Sequence, residues 1–208
     1  MIKIEKVESF GWEAAIRGMR NPKNSWDKMD SDKFEVGHKD LQLMMDLAHG
    51  GPVHAKYRRM IVVYADITAP LYWWKEFDTY KVGTVSNSCS TMHKLTHKVF
   101  TRDDFSHDKL LSNERVTISG FTSFELLDLT ISMLNQYRTL YLMTKDKRYW
   151  WQMIQLLPSS YNQKRTVMLN YEVLVGMYND RKNHKLDEWH ILCEWIHQLP
   201  YSEIITLE

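Results

Sequence analysis

The sequence predicts an α+β domain that is mostly helical and carries a small mixed or antiparallel sheet. Several segments place apolar residues at helical spacing, and the longest of them covers residues 122–145. A few shorter runs are rich in β-branched residues, such as RMIVVYADI at residues 59–67, which is typical of a buried strand. With 208 residues, of which 44% are hydrophobic, the chain suffices for one well-filled domain and is short for two. We therefore expect a single domain over residues 1–208.

The first half of the chain is expected to alternate strands with short helices. Ile2, Ile4 and Val7 alternate with other residues, which predicts a strand at the start. The Gly-Gly-Pro run at residues 50–52 ends an amphipathic segment as a helix ends, and Pro70 suits the first turn of a new helix. In order, this half predicts a strand at 1–9, a helix at 10–19, a loop or flap at 20–39, a helix at 40–49, a strand at 59–67 and an aromatic helix at 71–77.

Capping residues mark two helix starts in the second half. Thr122 and Glu125 have the spacing of a capping box, and Asn170 is a favoured N-cap with Glu172 in the turn that follows. In order, this half predicts a helix at 91–100, an irregular charged segment at 101–120, helices at 122–145 and 147–157, a strand at 164–169, and helices at 170–180 and 185–198.

The composition argues against several classes of protein. The formal net charge is +1, from 27 basic and 26 acidic residues, which disfavours binding to nucleic acid. No run approaches 18 apolar residues, so no membrane span is predicted, and the mixed-charge N-terminus lacks the apolar region of a secretory signal. Cys89 and Cys193 are too few for a disulfide framework and are expected to be free thiols in a reducing cytoplasm.

Common cofactor and metal motifs are missing from the sequence. It contains no G-x-G-x-x-G and no G-x-x-x-x-G-K-[ST] run, so neither a Rossmann nor a P-loop nucleotide site is expected. His93 and His97 are four residues apart, but no carboxylate stands between them as in H-E-x-x-H. We therefore predict no metal site.

Residues 79–91, which follow the aromatic helix, have almost no apolar period. Hydroxyl and amide side chains dominate this segment, together with Lys81 and Gly83. A segment of this kind does not build a core, because polar groups in a core need partners. It offers hydrogen-bond donors instead, and we expect it to contact a polar ligand.

The features around this polar segment resemble the signature region of the flavin-dependent thymidylate synthase (ThyX) family. That family reads A-P, then a helix ending in R-H-R, then x-x-S-x-N-E-x-S-x-R-Y. Aligned from the Ala-Pro at residues 69–70, this chain has Thr-Tyr-Lys at residues 79–81 in place of R-H-R. Thr84 stands where the family has its first S. Asn87 and Ser88 or Ser90 stand where the family has N-E-x-S, with one residue of slack.

The C-terminal part resembles the same family. The family's L-P appears here as Leu-Pro at residues 157–158, and a strand follows it as in the family. The family's N-x-R-x-L corresponds to Asn170 through Leu174, and its helix-end L-R corresponds to Asn-Asp-Arg at residues 179–181. Upstream, residues 41–52 resemble the family's L…H-G…T-P segment. The resemblance covers roughly residues 37–200, with the landmarks in the family's order.

The resemblance implies a ThyX-like fold and a specific reaction. Family members methylate dUMP reductively at C5, with methylenetetrahydrofolate as carbon donor, reduced FAD as hydride donor and NADPH as the reductant of the flavin. They are homotetramers whose active sites are assembled from several subunits. We accordingly expect a cytoplasmic enzyme of dTMP biosynthesis that has a small nucleotide as partner and binds neither nucleic acid nor a membrane.

The resemblance also assigns roles to residues. Arg181 matches the helix-end arginine beside the nucleotide base and is expected, with Ser90, to be catalytic. The substrate is expected to contact Ser88, Cys89, Ser90, Lys94 and Arg181, and the flavin is expected to contact Tyr80, Lys81, Thr84, Asn170 and His54. Purely structural roles stay open for these residues: Arg181 as a cation at a helix C-terminus, Asn170 as an N-cap, and the serines in an ordinary polar turn.

Several charges of the family are absent. Thr79 replaces the first arginine of R-H-R, Ile154 replaces the arginine before L-P, and the E-H after T-P reads His54-Ala55. These losses suggest rewired ligand contacts. They keep two alternatives open: a repurposed or non-catalytic nucleotide-binding protein, and a related flavoenzyme that modifies another pyrimidine nucleotide. An enzyme would require Lys81, Lys94 and Arg181 to converge on one pocket.

Overall fold

The computed structural model describes residues 2–33, 35–115 and 120–208, with the side chains of all of them except residues 93 and 94. Four strands form one antiparallel sheet in the order β1-β2-β4-β3. They are β1 (Lys3–Phe10), β2 (Val62–Pro70), β3 (Thr84–Ser88) and β4 (Asn162–Asn170). The predicted fold class, mostly helical with a small sheet, is confirmed.

Nine α-helices are present in the described part of the chain. They are α1 (Trp12–Arg20), α2 (His38–His49), α3 (Leu71–Phe77), α4 (Thr91–Lys94), α5 (Ser123–Thr144), α6 (Lys147–Leu156), α7 (Tyr171–Arg181), α8 (Asp187–His197) and α9 (Glu203–Thr206). None of these helices combines the length and the apolar character needed to cross a membrane.

Four elements differ from the sequence prediction. Strand β2 includes Pro70, which was expected in the first turn of the next helix, and α3 begins one residue later, at Leu71. Strand β3 lies in a segment that was expected to be a loop, because its polar residues show no apolar alternation and pairing with β4 decides its conformation. The helix expected at residues 91–100 ends at Lys94, and α9 was not predicted. A four-residue helix such as α9 is too short to leave a periodic signal in a sequence.

The predicted caps are confirmed. Thr122 Oγ1 accepts a hydrogen bond from the Glu125 amide at 3.1 Å, and Glu125 Oε2 accepts one from the Thr122 amide at 2.7 Å, which is a capping box at the start of α5. Asn170 Oδ1 accepts from the Val173 amide at 2.9 Å and caps α7.

The chain forms two compact units, and the prediction of a single domain stays a prediction. The first unit contains Thr68–Phe77 and Ser88–Arg165, together with the first residues of the chain. Its core lies largely between α5 and α6 and contains Phe105, Leu134 and Met153, each at most 1% exposed.

The second unit contains Ile4–Ile67, Asp78–Asn87 and Thr166–Glu208. Helices α1, α2, α7, α8 and α9 pack together in it. Its largest fully buried side chains include Tyr171 and Trp189, and the Tyr171 hydroxyl donates to the Pro200 carbonyl at 2.7 Å. Full burial of such side chains stabilises the fold by about 1.5–3 kcal/mol each.

Candidate functional site

Arg181, the last residue of α7, contacts the side chains of Tyr80 and Trp189 in the second unit. Its Nε donates to the Tyr80 hydroxyl oxygen at 2.8 Å, and the Tyr80 hydroxyl donates to Asp180 Oδ2 at 3.1 Å. The guanidinium carbon lies 4.4 Å from the Trp189 ring centroid and 5.4 Å from that of Tyr80. Two predicted site residues, Tyr80 and Arg181, are thus in contact, and aromatic rings orient the guanidinium by cation–π attraction.

The electrostatics of this cluster keep the Tyr80 phenol protonated. Burial is the main cause of the raised pKa of Tyr80, and Asp180 raises this pKa further. Arg181 lowers the pKa, but its effect is smaller than that of burial and Asp180 together. A neutral phenol both donates and accepts hydrogen bonds near neutral pH. Tyr80 can therefore orient Arg181 without a change of protonation state.

Trp189 was not predicted as part of the site. It is completely buried, and in the sequence it is one of several apolar residues at helical spacing in the last predicted helix. Its contact with Arg181 joins α7 to α8 and depends on the tertiary packing of these helices. No signal in the sequence distinguishes it from an ordinary core tryptophan.

Asn170, Gly83 and Thr84, which include two predicted flavin contacts, meet where β3 begins. The Asn170 amide donates to the Gly83 carbonyl at 3.0 Å, and Gly83 has a φ of +80°. A Cβ at Gly83 would stand 2.4 Å from Asn170 Nδ2, so only glycine permits this approach. The Thr84 hydroxyl oxygen is buried and has no hydrogen-bond partner among the described residues. Since a buried polar group without a partner costs about 1–3 kcal/mol, this hydroxyl is suited to meet a ligand.

Ser88, Cys89 and Ser90 lie at the end of β3, in the first unit. The Cys89 amide donates to the Lys164 carbonyl at 2.9 Å, and the Cys89 carbonyl accepts from Gln163 Nε2 at 2.9 Å. Both backbone groups of Cys89 therefore have partners on β4, while its thiol is exposed. The turn is rigidly placed by these bonds, and its contact with a phosphate stays a prediction.

A cluster that the sequence reasoning missed holds this turn. Arg165 Nε donates to Gln163 Oε1 at 3.0 Å, and its guanidinium carbon lies 4.1 Å from the Trp74 ring centroid. Trp74 Nε1 donates to the Gln163 carbonyl at 2.9 Å. Gln163 and Arg165 are two residues apart on β4 and share one face of the strand, which is the only sequence signal that links them.

His54 lies apart from the other predicted flavin contacts. It is exposed and lines a cavity of about 1110 Å³ in the second unit. Tyr80, Lys81, Thr84 and Asn170 are not among the described residues that line this cavity. Lys81 is exposed, and the side chain of Lys94 lies outside what the structure describes, so the convergence of Lys81, Lys94 and Arg181 stays a prediction.

Within residues 2–33, 35–115 and 120–208, no group of three or more His, Cys, Asp or Glu side chains is arranged to hold a metal ion. The side chain of His93, which the sequence pairs with His97, lies outside the described side chains.

No protein-family model and no curated protein matches the sequence. Solved structures do match. A ThyX thymidylate synthase from Helicobacter pylori, crystallised with FAD and dUMP, superposes with a TM-score of 0.69 at 14% identity, covering 99% of this chain and 98% of that one. A second structure of the H. pylori enzyme with FAD and dUMP has a TM-score of 0.71 at 15% identity, covering 97% and 98%. The chain has the fold of the flavin-dependent thymidylate synthases.

A further neighbour extends the range of ligands found on the ThyX-like fold. The UMP/dUMP methylase PolB from Streptomyces cacaoi, bound with 5-Br dUMP, has a TM-score of 0.64 at 15% identity and covers all of this chain and 95% of its own. The ThyX resemblance stated from the motifs is thereby confirmed at the level of the fold.

Proposed function

We propose that the protein is a flavin-dependent pyrimidine nucleotide methyltransferase that converts dUMP to dTMP by reductive methylation at C5. The observation that carries the proposal is Arg181, a guanidinium oriented by Tyr80 and Trp189 at the helix end where the family motif has its base-binding arginine. The structural neighbours, which are named for thymidylate synthesis and UMP/dUMP methylation, support the same class of reaction.

On the substrate side, Arg181 would donate to a carbonyl of the uracil ring. A preorganised donor stabilises the negative charge that the oxygen carries in an enolate form of the ring, and the electron pair of that enolate is shared with C5, which would be the nucleophilic carbon. Ser88, Cys89 and Ser90 would approach the phosphate at the end of β3, where Gln163 holds the turn. Lys94 would add positive charge beside the phosphate. The Ser90 hydroxyl would lie next to the same phosphate.

On the cofactor side, the donor set of β3 and α7 fits a flavin nucleotide. The buried Thr84 hydroxyl without a partner and the Asn170 side chain offer hydrogen bonds, and Lys81 is an exposed cation. Tyr80 offers an aromatic face and His54 an imidazole. When bound, FAD would supply the hydride, methylenetetrahydrofolate the carbon and NADPH the electrons that regenerate the flavin.

We expect the enzyme to act in the cytoplasm as a homotetramer. Helix α5 has apolar residues on its outer side: Leu126, Leu129 and Met143 are 58%, 49% and 77% exposed. A helix that is apolar on more than one face is usually buried on both, which favours a subunit contact along α5. Residues that lie apart in one chain, such as His54, would then complete a site with another subunit.

Two alternatives remain distinct from this proposal. Thr79 and Ile154 stand where the family has arginines. The loss of these arginines favours altered ligand contacts. A substrate other than dUMP is one consequence, and the neighbour that accepts UMP analogues supports it. A nucleotide-binding protein without flavin is the other.

The first experiment is an absorbance titration of the purified protein with FAD, followed by dUMP and, separately, UMP. We expect a bound-flavin spectrum that dUMP perturbs. A perturbation by UMP alone would select the other pyrimidine substrate, and a protein that ignores FAD would refute the flavoenzyme proposal.

Arg181→Met and Arg181→Lys test the residue that carries the proposal. Loss of charge-assisted hydrogen bonds worth about 1.5–3 kcal/mol should raise the Kd for dUMP about 10- to 150-fold, and Lys should restore only part of it. The FAD spectrum should persist. Arg148→Met is the control, since Arg148 is exposed and pairs only with its neighbour Asp146 in the described contacts. Equal affinities for dUMP in the Arg181→Met and control variants would contradict the assignment.

A further inference from the structure

The end of α5 and the start of α6 combine basic and aromatic side chains within residues 136–151. The aromatic residues of this stretch are Tyr137, Tyr141, Tyr149, Trp150 and Trp151, and the basic ones are Arg138, Lys145, Lys147 and Arg148. Asp146 is its one acidic residue, and the Asp146 side chain accepts hydrogen bonds from the guanidinium of Arg148. The net charge of +1 is a sum over the whole chain and does not exclude a local excess of positive charge here.

A two-residue connection between the helices places Lys145 and Lys147. Lys145 follows the last residue of α5 with a φ of +57°, and its amide donates to the Tyr141 carbonyl at 2.8 Å. Asp146 caps α6, because its side chain accepts from the Arg148 amide at 2.9 Å. Hydrogen bonds to the backbone therefore hold both ends of the connection, and the two lysine side chains start from fixed positions.

The two ammonium groups lie beside aromatic rings. Lys147 Nζ is 5.9 Å from the ring centroid of Trp150 and 5.8 Å from that of Trp151. Lys145 Nζ is 5.9 Å from the ring centroid of Tyr141. Neither ammonium group forms an ion pair or a hydrogen bond with a described residue. Both cations are thus available to an anionic ligand that also contacts the rings.

The tryptophans of this surface are held in place. Trp150 Nε1 donates to the Met92 carbonyl at 3.3 Å, and the Trp150 and Tyr141 side chains pack against the core of the first unit. The Trp151 ring lies 4.9 Å from that of Trp150 between centroids, and Trp151 is 43% exposed. Partly exposed rings that are already ordered provide contact area at a low cost in conformational entropy.

The same side chains enclose a concave site. A cavity of about 640 Å³ in the first unit is lined by Met92, Thr96, Tyr141, Lys145, Lys147 and Trp150. Sites for small ligands span roughly 300–1,000 Å³, so a base with its sugar and phosphate fits this volume. No acidic residue is among the described residues that line it. A lipid surface is a less suitable occupant, because it would leave the interior of a concave site empty.

We propose that this surface binds single-stranded nucleic acid, with bases stacked on Trp150 and Trp151 and backbone phosphates at Lys145 and Lys147. Aromatic rings that stack bases, next to cations that contact the backbone, are the general means by which proteins hold single strands. Unpaired bases are required, because the bases of a duplex stack on one another and present only their edges in the grooves. The proposal is independent of the methyl-transfer reaction.

The test is fluorescence anisotropy of the full chain with fluorescein-labelled dT and rU strands of about 20 nucleotides, at several salt concentrations. Lys145→Gln and Lys147→Gln should each raise the Kd and lower the slope of log Kd against log salt by about 0.7, because each lysine releases the counterions of one phosphate. Lys75→Gln is the matched control, an exposed lysine of the same unit that does not line the cavity, and it should leave the slope unchanged. Wild-type slopes in both variants of the surface would refute the proposal.

Trp151→Ala tests stacking without a change of charge. It should raise the Kd of the bound strand about 5- to 150-fold, which is the loss expected for stacking on one base, and Trp151→Phe should restore most of the affinity. Trp26→Ala is the control, because Trp26 is 48% exposed and belongs to the second unit. Circular dichroism and light scattering should show the same fold and molar mass for all these variants. A wild-type Kd for Trp151→Ala would contradict the stacking.

Three competitors separate single strands from other ligands. A duplex of the same length should bind more weakly than the strands, and equal binding would overturn the proposal. Displacement of the strand by free dTMP at the same nucleotide concentration would overturn it as well, and so would binding of phosphatidylserine vesicles in place of the strands. Failure of both strands to bind is the remaining refutation. Binding of either strand upholds the proposal, and the tighter one identifies DNA or RNA.

The outcome is separate from that of the proposed function. The flavin spectrum and its response to dUMP should be the same in Lys145→Gln, Lys147→Gln and the wild type. A protein that ignores FAD but binds a strand through the two lysines would refute the methyltransferase alone. A flavin that responds to dUMP, in a protein that binds neither strand, would refute the nucleic-acid site alone.

Discussion

Replacement of Gly83 by alanine tests the geometry that joins β3 to the start of α7. Gly83 has a φ of +80°, which costs a residue with a Cβ about 1–2 kcal/mol. Its Cβ would also lie 2.4 Å, 2.8 Å and 2.9 Å from Nδ2, Cγ and Oδ1 of Asn170, so this side chain has to move. Asn170 caps α7 through the Val173 amide, and a lost N-cap costs about 1 kcal/mol.

The two effects together predict that Gly83→Ala lowers the free energy of unfolding by about 2–3 kcal/mol. For a chain of this size, that corresponds to a fall in Tm of about 4–12 °C, measurable by circular dichroism. Gly51→Ala is the matched control, because Gly51 has a φ of +92° but no atom within 4 Å of the added Cβ. It should show the backbone strain alone, about 1–2 kcal/mol.

Equal destabilisation by Gly83→Ala and Gly51→Ala would refute the contact with Asn170. A functional readout follows from the same variant. If Asn170 and Thr84 contact the flavin as proposed, Gly83→Ala should also raise the Kd for FAD, and Gly51→Ala should not.

Three further predictions concern stability and assembly. Asp40→Asn leaves Arg20 buried without its counterion and should destabilise the protein by about 3–5 kcal/mol in urea unfolding. Burial raises the pKa of Asp40, but hydrogen bonds from Ser31 and Arg20 lower it more. The wild type should therefore lose this stability as the pH falls from about 4 through the folded pKa, and Asp40→Asn should flatten that loss; an unchanged pH profile would contradict it. Thr122→Ala removes the cap of α5 and should cost about 1 kcal/mol by the same assay. Met143→Glu should reduce the molar mass measured by light scattering, whereas a monomeric wild type would contradict the tetramer.

Structural features that depend on residues close together in the chain were predicted correctly from the sequence. The capping box at Thr122 and the N-cap at Asn170 act within one turn, so the sequence contains the whole interaction. The buried strand β2 and the helix α5 follow from β-branched runs and helical spacing. The family motifs predicted the fold, because they record the order of these elements and of the turns between them.

The candidate site was predicted only in part. Arg181 and Tyr80 were named from the motifs, and the structure brings them together over a separation of 101 residues. Trp189, Gln163 and Arg165 were not named, since their contacts with the site arise from packing and not from spacing. The flavin contact predicted at His54 was placed by motif order, and the structure puts it in a cavity that the other four predicted contacts do not line.

The sequence by itself determined the long helices, their caps and the order of the elements that have an apolar period, because short-range hydrogen bonds and apolar period set these features. Tertiary structure alone decided that polar residues 84–88 form a strand, since β4 supplies its partner. It also decided that four lysines from three segments of the chain line one cavity: Lys23, Lys28, Lys39 and Lys56. Charge–charge distances of this kind depend on how helices pack, which no local pattern specifies.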